Sequence, residues 1–388
     1  MNIGIVCYPT YGGSGVVATE LGMELARRGH QVHFITYAMP FRLDRFQENV
    51  YFHEVEIPSY PLMEHQLYTL ALAGKIIDVV KYEQIDILHV HYAIPHAVSG
   101  YLAKQIVQQT HPIKMVTTLH GTDITLLGLE PTFLPLIRFA LEQSDTITAV
   151  SNYLREKTVQ SFTPGRDIKV IPNFVDTTVY QRNNEQRELI RSRIAKEGEF
   201  VLLHTSNFRG VKRVQDTIRV LDEVRKNIPA RLVLVGDGPE RVDAERLSRE
   251  LGVSDYVTFL GKQTALPELL SAADVFLLPS QSESFGLSAL EAMSCSVPVV
   301  ASNVGGIPEL ITHGENGYVA ELGDVSRMAR YVVELLTNPK RLSAFSAKAR
   351  EAAIRLYDVN SVVPMYEELY RNLMTGGSNA TGAQLVSE

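Results

Sequence analysis

Glu283 and Glu291 close the run Glu283-Ser-Phe-Gly-Leu-Ser-Ala-Leu-Glu291. On one helical face, eight residues span a little over two turns, so the two carboxylates would be spaced along an extended ligand. Gly286 between them frees backbone amides at a helix start, a place that suits phosphate. Arg209, Lys212 and Arg213 put three cations into five residues of the run Ser206-Asn-Phe-Arg-Gly-Val-Lys-Arg213. That density near a helix start can neutralise a diphosphate, or it can form a solvated basic turn. Gly12-Gly-Ser-Gly15 lies between a predicted strand and a predicted helix over 16–28. It either lets backbone N–H groups approach an anion or simply makes a tight turn. Residues 13–18 also match a dinucleotide fingerprint, but Thr36-Tyr-Ala38 stands where an acidic ribose ligand is needed, which argues against a nicotinamide cofactor. His120-Gly-Thr-Asp123 sits at a predicted strand end, where an imidazole or its neighbouring backbone can bond a sugar hydroxyl. His89, His91 and His96 read as structural histidines of the core.

These residues need a scaffold that gathers strand ends. Short β-branched runs at 3–8, 31–36, 85–91, 114–120, 146–151 and 168–172 alternate with amphipathic helical stretches. A polar interval at 177–198 carries no strand signal, and the pattern restarts at 200–205, 231–236, 257–261, 275–280 and 298–302. Such alternation predicts α/β architecture, two doubly wound parallel sheets joined near residues 170–180. Further helices are predicted at 325–336, 341–356 and 362–374, the last returning to the first domain. Residues 375–388 are rich in Gly, Ser and Ala and are expected to be disordered. Ligands of doubly wound sheets bind beyond the carboxyl ends of the strands, so two facing sheets make a cleft suited to two substrates.

The chain has 388 residues, 45% hydrophobic and 21% charged, which excludes a small disulfide scaffold, a fibrous repeat and an intrinsically disordered chain. Lys and Arg total 37 against 44 Asp and Glu, a net charge of -7. That balance lacks the broad basic field that nucleic acid or an anionic membrane would require. No run approaches the ~18 apolar residues needed to span a bilayer, and the first ten residues have no cationic segment ahead of their apolar run. A cytoplasmic location and no stable membrane association are expected. Cys7 and Cys295, far apart in sequence, read as buried free thiols. Size and acidity are compatible with a homodimer.

Taken in order, Gly12 to Gly15, His120 to Asp123, Asn173-Phe-Val-Asp176, the Arg209 and Lys212 turn, Val235-Gly-Asp-Gly-Pro239 and Glu283 to Glu291 resemble the retaining nucleotide-sugar glycosyltransferases of family 4. The ordered likeness covers about 350 residues. It implies a GT-B fold, two facing Rossmann-like domains, with residues 1–172 plus a helix at about 358–374 binding acceptor and 173–357 binding the nucleotide sugar. It implies that Glu291 holds the ribose, that Glu283 with the Phe285, Gly286 and Leu287 backbone holds donor sugar and phosphate, and that Lys212 meets the diphosphate. Asn207 stands where many relatives carry the first cation of an Arg-x4-Lys pair, and Arg209 is the candidate replacement. Gly13 and Gly15 are further donor-site candidates, and the backbone around Lys262 and Gln263 is placed at the base. The catalytic set is His120, Glu283, Lys212 and Arg209. The chain contains no Asp-x-Asp, so no metal and no cofactor are expected, and cationic side chains with helix dipoles must stabilise the leaving group.

Within the family, Cys7-Tyr-Pro-Thr-Tyr-Gly-Gly-Ser-Gly15 and His91-Tyr-Ala-Ile-Pro95 most resemble the branch that moves N-acetylglucosamine from UDP-N-acetylglucosamine to L-malate, the first step of bacillithiol biosynthesis. Rival acceptors are inositol phosphate, a lipid or a polysaccharide primer. The lipid reading needs a basic apolar face, whereas Arg42 and Arg45 alternate with Asp44 and Glu48. A UDP-sugar epimerase or a sugar-nucleotide sensor on the same architecture would show no acceptor dependence. Expected acceptor-site residues are Gly13, Ser14, Tyr92, Thr118, Asn152 and Arg155. Arg155 is the one member of that set able to meet a carboxylate with a two-point fork.

Overall fold

A computed structural model of the chain describes residues 1–10, 12–43, 46–58 and 65–376, with Leu129 described by its backbone alone. Tyr11, Asp44, Arg45 and nearly all of the expected disordered tail lie outside the described residues.

The first half folds as β1 (Asn2–Val6), α1 (Gly13–Arg27), β2 (Gln31–Thr36), β3 (Val50–Glu54), α2 (Tyr68–Glu83), β4 (Ile87–His91), α3 (Val98–Val107), β5 (Lys114–Leu119), α4 (Leu134–Gln143), β6 (Thr146–Ala149), α5 (Asn152–Phe162) and β7 (Ile168–Val170). Its seven strands form one parallel sheet in the order β3-β2-β1-β4-β5-β6-β7. After α6 (Asn184–Ile194) come β8 (Phe200–Thr205), α7 (Val214–Arg225), β9 (Ala230–Val235), α8 (Arg241–Glu250), β10 (Val257–Gly261), α9 (Leu266–Ala272), β11 (Val275–Leu278), α10 (Leu287–Ser294), β12 (Val299–Ser302), α11 (Ile307–Leu310) and β13 (Gly317–Ala320). These six strands make a second parallel sheet, β10-β9-β8-β11-β12-β13. Helices α12 (Val325–Leu336), α13 (Pro339–Tyr357) and α14 (Val359–Thr375) follow. The order reverses between β1 and β4 and between β8 and β11, the switch points at which doubly wound sheets open a crevice. This is the GT-B arrangement.

The central parallel strands are buried on both faces, β4 and β11 along their whole length, because helices cover each side. Two strands went unread in the sequence. β3 is a half-exposed edge strand with little apolar alternation, and β13 is only four residues long. The predicted strand at 168–172 ends earlier, at Val170, before Pro172, which has no N–H for a ladder. The polar interval contains α6, which buries none of its own side chains. Arg187 and Arg191 instead hold it to Asp274, at 2.5 and 2.9 Å. Cys7 lies one residue beyond β1 and Cys295 caps the end of α10, both buried.

The chain crosses between the sheets twice, and the crossings pair. Val175 N–H donates to the Tyr357 carbonyl at 2.9 Å and Val359 N–H to the Val175 carbonyl at 3.0 Å. Asp358 accepts from Thr177 and, through its other oxygen, caps α14 at Asn360 N–H. Val362, Val363, Tyr366, Leu369 and Tyr370 of α14 then join Ile3, Val17, Leu21 and Phe34 in the first core. Each such burial contributes about 1.5–3 kcal/mol, so the final helix is anchored on the first sheet. Another cluster runs continuously from Leu119, Ile147 and Phe162 to Val201, Phe276 and Met293, across both halves. Among the described residues, no helix is long and apolar enough to cross a membrane.

Candidate active site between the two sheets

The turn after β8 carries Lys212 and the turn after β11 carries Glu283, both at carboxyl ends of adjacent strands. Lys212 Nζ donates to Glu283 Oε1 at 2.6 Å, and Ser280 Oγ donates to the same oxygen at 2.8 Å. Glu283 is 9% exposed, so its charge sits in a partly dry site with two fixed partners. Behind it, Gly306 N–H donates to the Glu283 carbonyl at 2.9 Å. Gly286 caps α10 with φ of +98°, and a Cβ there would lie 2.6 Å from Ile307 Cδ1. Glycine is therefore required by both backbone conformation and space. It presents the first amides of α10 beside Glu283, the positive end of the helix.

Glu291, on the next turns of α10, is 7% exposed and faces Arg42, whose Nη2 lies 3.4 Å from its Oε1. Arg42 also donates to Glu20 at 2.9 Å and to the Tyr180 hydroxyl at 2.5 Å. Burial raises the pKa of Glu291 while Arg42 and Tyr180 act to lower it. Asn207 leaves its buried Oδ1 without a hydrogen-bond partner among the described residues, and Arg209 is exposed. Lys262 is exposed too, while Gln263 Nε2 donates to the Leu260 carbonyl at 2.7 Å.

On the opposite wall, α1 begins at Gly13, and a Cβ on Gly13 would be 3.6 Å from Leu287. Tyr92, just past β4, donates its hydroxyl to Ser14 Oγ at 2.5 Å. Gly15 is packed so closely that a Cβ would lie 2.6 Å from the Tyr8 and Thr10 carbonyl oxygens, which makes it a packing position that lets α1 start here. His120, just past β5, shares a 2.8 Å contact between its Nε2 and His91 Nδ1. Burial, reinforced by the neighbouring His96, pushes His120 down to about 3, so its imidazole is neutral at physiological pH. Asp123 is buried beneath it, bonded by Ala93 and Gly121 N–H at 2.9 and 3.2 Å, and burial raises it to about 6. Gly121 meets the second domain so closely that a Cβ would overlap Ser284 Oγ at 1.7 Å.

Two of the expected acceptor residues, Thr118 and Asn152, are hydrogen-bonded elsewhere. Thr118 is fully buried, with Oγ1 2.6 Å from both His89 Nε2 and Thr148 Oγ1, because β5 is a central strand and its side chain points into the core. Asn152 donates through its backbone at 2.9 Å and its side chain at 3.0 Å to Glu309, which also accepts from Tyr153 N–H at 2.7 Å. Arg155, with a 40% exposed side chain, faces its neighbour Glu156 at 4.0 Å. It stands one turn into α5, the helix whose first residue, Asn152, is held by Glu309. Sequence reasoning missed the roles of Ser280, Arg42, Tyr180 and Glu309. Only Ser280 had a local signal, three residues ahead of Glu283 at a strand end.

Two parallel sheets facing across strand-end loops, with a part-buried Lys–Glu pair beside a glycine-started helix, define the chain as a glycosyltransferase. Residues 11–179 match Glycosyltransferase Family 4 and residues 185–352 match Glycosyl transferases group 1, and the chain belongs to the family 4 glycosyltransferases. It is 46% identical, over 98% of its length and 99% of the relative's, to the N-acetyl-alpha-D-glucosaminyl L-malate synthase of Bacillus anthracis. It is 31% identical, over 68% of its length and 70% of the relative's, to a GDP-mannose-dependent alpha-(1-6)-phosphatidylinositol monomannoside mannosyltransferase of Mycolicibacterium smegmatis. The solved structure of Anabaena Alr3699/HepE in complex with UDP-glucose superposes with a TM-score of 0.83 at 22% identity, over 96% of this chain and 100% of that one.

Proposed function

We propose that the protein transfers N-acetylglucosamine from UDP-N-acetylglucosamine to the hydroxyl of L-malate with retention of anomeric configuration, and needs no metal to do so. The observation that carries this reading is the 46% identity maintained over 98% of the chain, through both walls of the cleft. The mannosyltransferase likeness covers less of the chain at lower identity. In this reading Glu291 holds the ribose, Lys212 and the α10 amides face the diphosphate, and Glu283 and neutral His120 bond donor-sugar hydroxyls.

The reaction follows from that placement. The malate hydroxyl oxygen bonds to the anomeric carbon as the bond from that carbon to the β-phosphate oxygen breaks. The hydroxyl proton passes to the departing phosphate oxygen, leaving UDP and the glycoside. Attack on the face from which UDP departs retains configuration without a covalent enzyme intermediate, and Glu283, already shared by Lys212 and Ser280, is not a free nucleophile. Negative charge grows on the β-phosphate, and donors fixed beforehand act on it without reorganising. The acceptor carboxylates fall to the Gly13 and Ser14 amides at the start of α1, with Ser14 and Tyr92 hydroxyls beside them.

The test is a mass-detected product with malate supplied or omitted. A hexosaminyl-malate product that requires malate is expected. Turnover of the UDP-sugar without acceptor would support an epimerase, and no malate product in an otherwise active preparation would end the acceptor assignment. Turnover is expected to continue in EDTA; loss on chelation, restored by magnesium or manganese, would end the metal-free reading.

A further inference from the structure

Away from the cleft, on the face of the first sheet covered by α2, three side chains with metal-ligating atoms converge. His33 comes from β2, His53 from the edge strand β3, and Glu83 is the last residue of α2. The register pairs His33 with Tyr51 and Ile35 with His53, so the two imidazoles lie on one face of adjacent strands, two positions apart. That face also carries Ile35, packed with Leu72, Ile76 and Val79 of α2, whereas Val32 and Phe34 of β2 face α1 and α14. One ligand atom from each of His33, His53 and Glu83 lies within 4.8 Å of the other two.

We propose that His33, His53 and Glu83 bind a divalent late-transition-metal ion of the zinc class, tying the edge strand and the end of α2 together. This departs from the sequence expectation of no metal and is independent of the substrate assignment. Bonds of ~2.1 Å to a tetrahedral zinc place ligand atoms about 3.4 Å apart. His33 Nδ1 and His53 Nε2 already stand 3.0 Å apart, and a rotation of the Glu83 side chain closes the remainder. Two neutral imidazoles and one carboxylate form an N/O donor set suited to Zn2+, Ni2+ or Co2+ rather than to the all-oxygen preference of Mg2+. The set leaves the ion one positive charge. His33 is 1% exposed, while His53 and Glu83 are half-buried, so an ion has a route in and an open fourth position for water.

The outer shell sets the expected strength. The His33 ring is stacked on Tyr51 with centroids 4.7 Å apart and planes 15° apart, which fixes its orientation. Its buried Nε2 has no hydrogen-bond partner among the described residues, whereas tightly held zinc histidines bond through their second nitrogen. Micromolar rather than nanomolar binding is therefore expected.

The full chain, free of added histidine tags and stripped with chelator, is titrated with ZnCl2 by calorimetry and with CoCl2 by visible absorption. One equivalent of each ion is expected, with Co2+ giving the d–d bands of a nitrogen- and oxygen-liganded site. Zn2+ at about 100 times its Kd should raise Tm by a few degrees, through binding to the folded state alone. His53→Gln and Glu83→Gln change half-buried side chains at the sheet edge, so both variants should fold, weaken the ion at least about tenfold and abolish the Co2+ bands. Their turnover without metal should match wild type, because the site lies outside the cleft. Absence of saturable binding in wild type, or equal affinity in both variants, would overturn the site.

Discussion

The two walls of the cleft are built from the same strand-turn-helix unit, yet they handle charge in opposite ways. On the second-domain wall, Lys212 and Glu283 are ionic partners 2.6 Å apart, and Glu291 lies against Arg42. On the first-domain wall, His89, His91, His96 and His120 line a buried core that holds them neutral. Burial lowers His89 and His120 to about 3 and His96 to about 4, with neighbouring imidazoles adding to the shift at His89 and His120, and His91 is driven well below its usual value. Charge that is paired in advance can be redirected to an incoming diphosphate. Neutral rings orient hydroxyls without adding charge that would compete for it. On the proposed assignment, the difference separates a wall that meets a polyanionic donor from one that positions the acceptor, where helix amides and hydroxyls supply the polarity.

The sharpest break of this comparison is Lys212→Ala, which removes the cation paired with Glu283 and leaves the carboxylate without it. A loss of about 10²–10³ in kcat is expected for removing a preorganised donor. Lys212→Ala with near-normal turnover would show that the charged wall does not act on the diphosphate. Glu291→Ala should weaken UDP binding by about 10–100-fold, the scale of a lost charged hydrogen bond, with calorimetry as the readout. Unchanged UDP affinity would remove Glu291 from the ribose. On the neutral wall, Ser14→Ala and Tyr92→Phe should each raise the malate KM about five- to tenfold while leaving UDP affinity alone, near 1 kcal/mol per hydrogen bond. A matching loss of UDP affinity would mean that the two walls are not separate.

The histidine core makes a pH prediction. Each ring has a folded pKa below its unfolded value of ~6.5, so below that pH the unfolded chain binds protons that the folded chain refuses. Stability is therefore full above about pH 6.5 and falls as pH drops toward the folded values, by up to about 1.4 kcal/mol per pH unit for each histidine. Asp123, raised to about 6, and Glu291, also raised by burial, work in the opposite sense, since their folded forms take up a proton on acidification, but they are two groups against these four histidines. Tm measured from pH 7 to pH 5 should fall, and His96→Gln, which cannot titrate, should flatten the slope. The smallest effect belongs to Arg155→Ala. Its 40% exposed side chain predicts a malate KM within about twofold of wild type, the scale of a surface substitution, and a tenfold rise would place it in the acceptor site.

Much of this fold was legible locally. The second sheet announces itself through runs such as Phe200–Thr205 and Ala230–Val235, whose β-branched and aliphatic residues have no use other than burial between two helical layers. Edge strand β3 escaped because a half-exposed edge leaves no alternation to read. At the site, Lys212, Glu283, Gly286 and Glu291 were identifiable because each belongs to a short motif at a strand end, where chemistry and backbone geometry are written in neighbouring residues.

The sequence by itself determined the alternation of strands and helices, the family and the strand-end motifs that carry Lys212, Glu283 and Glu291. Tertiary structure alone decided which charges pair and which donors remain available. Arg42 reaches Glu291 across 249 positions, Ser151 donates to the Ser284 carbonyl across 133, and Asn152 is taken by Glu309 across 157. Such contacts depend on how two sheets approach each other, and no periodicity or local motif records the approach. Thr118 and Arg155 show the same limit from the other side. Residue type made both plausible donors, but one side chain is packed inside the sheet and the other is 40% exposed, placements set by the elements that surround them.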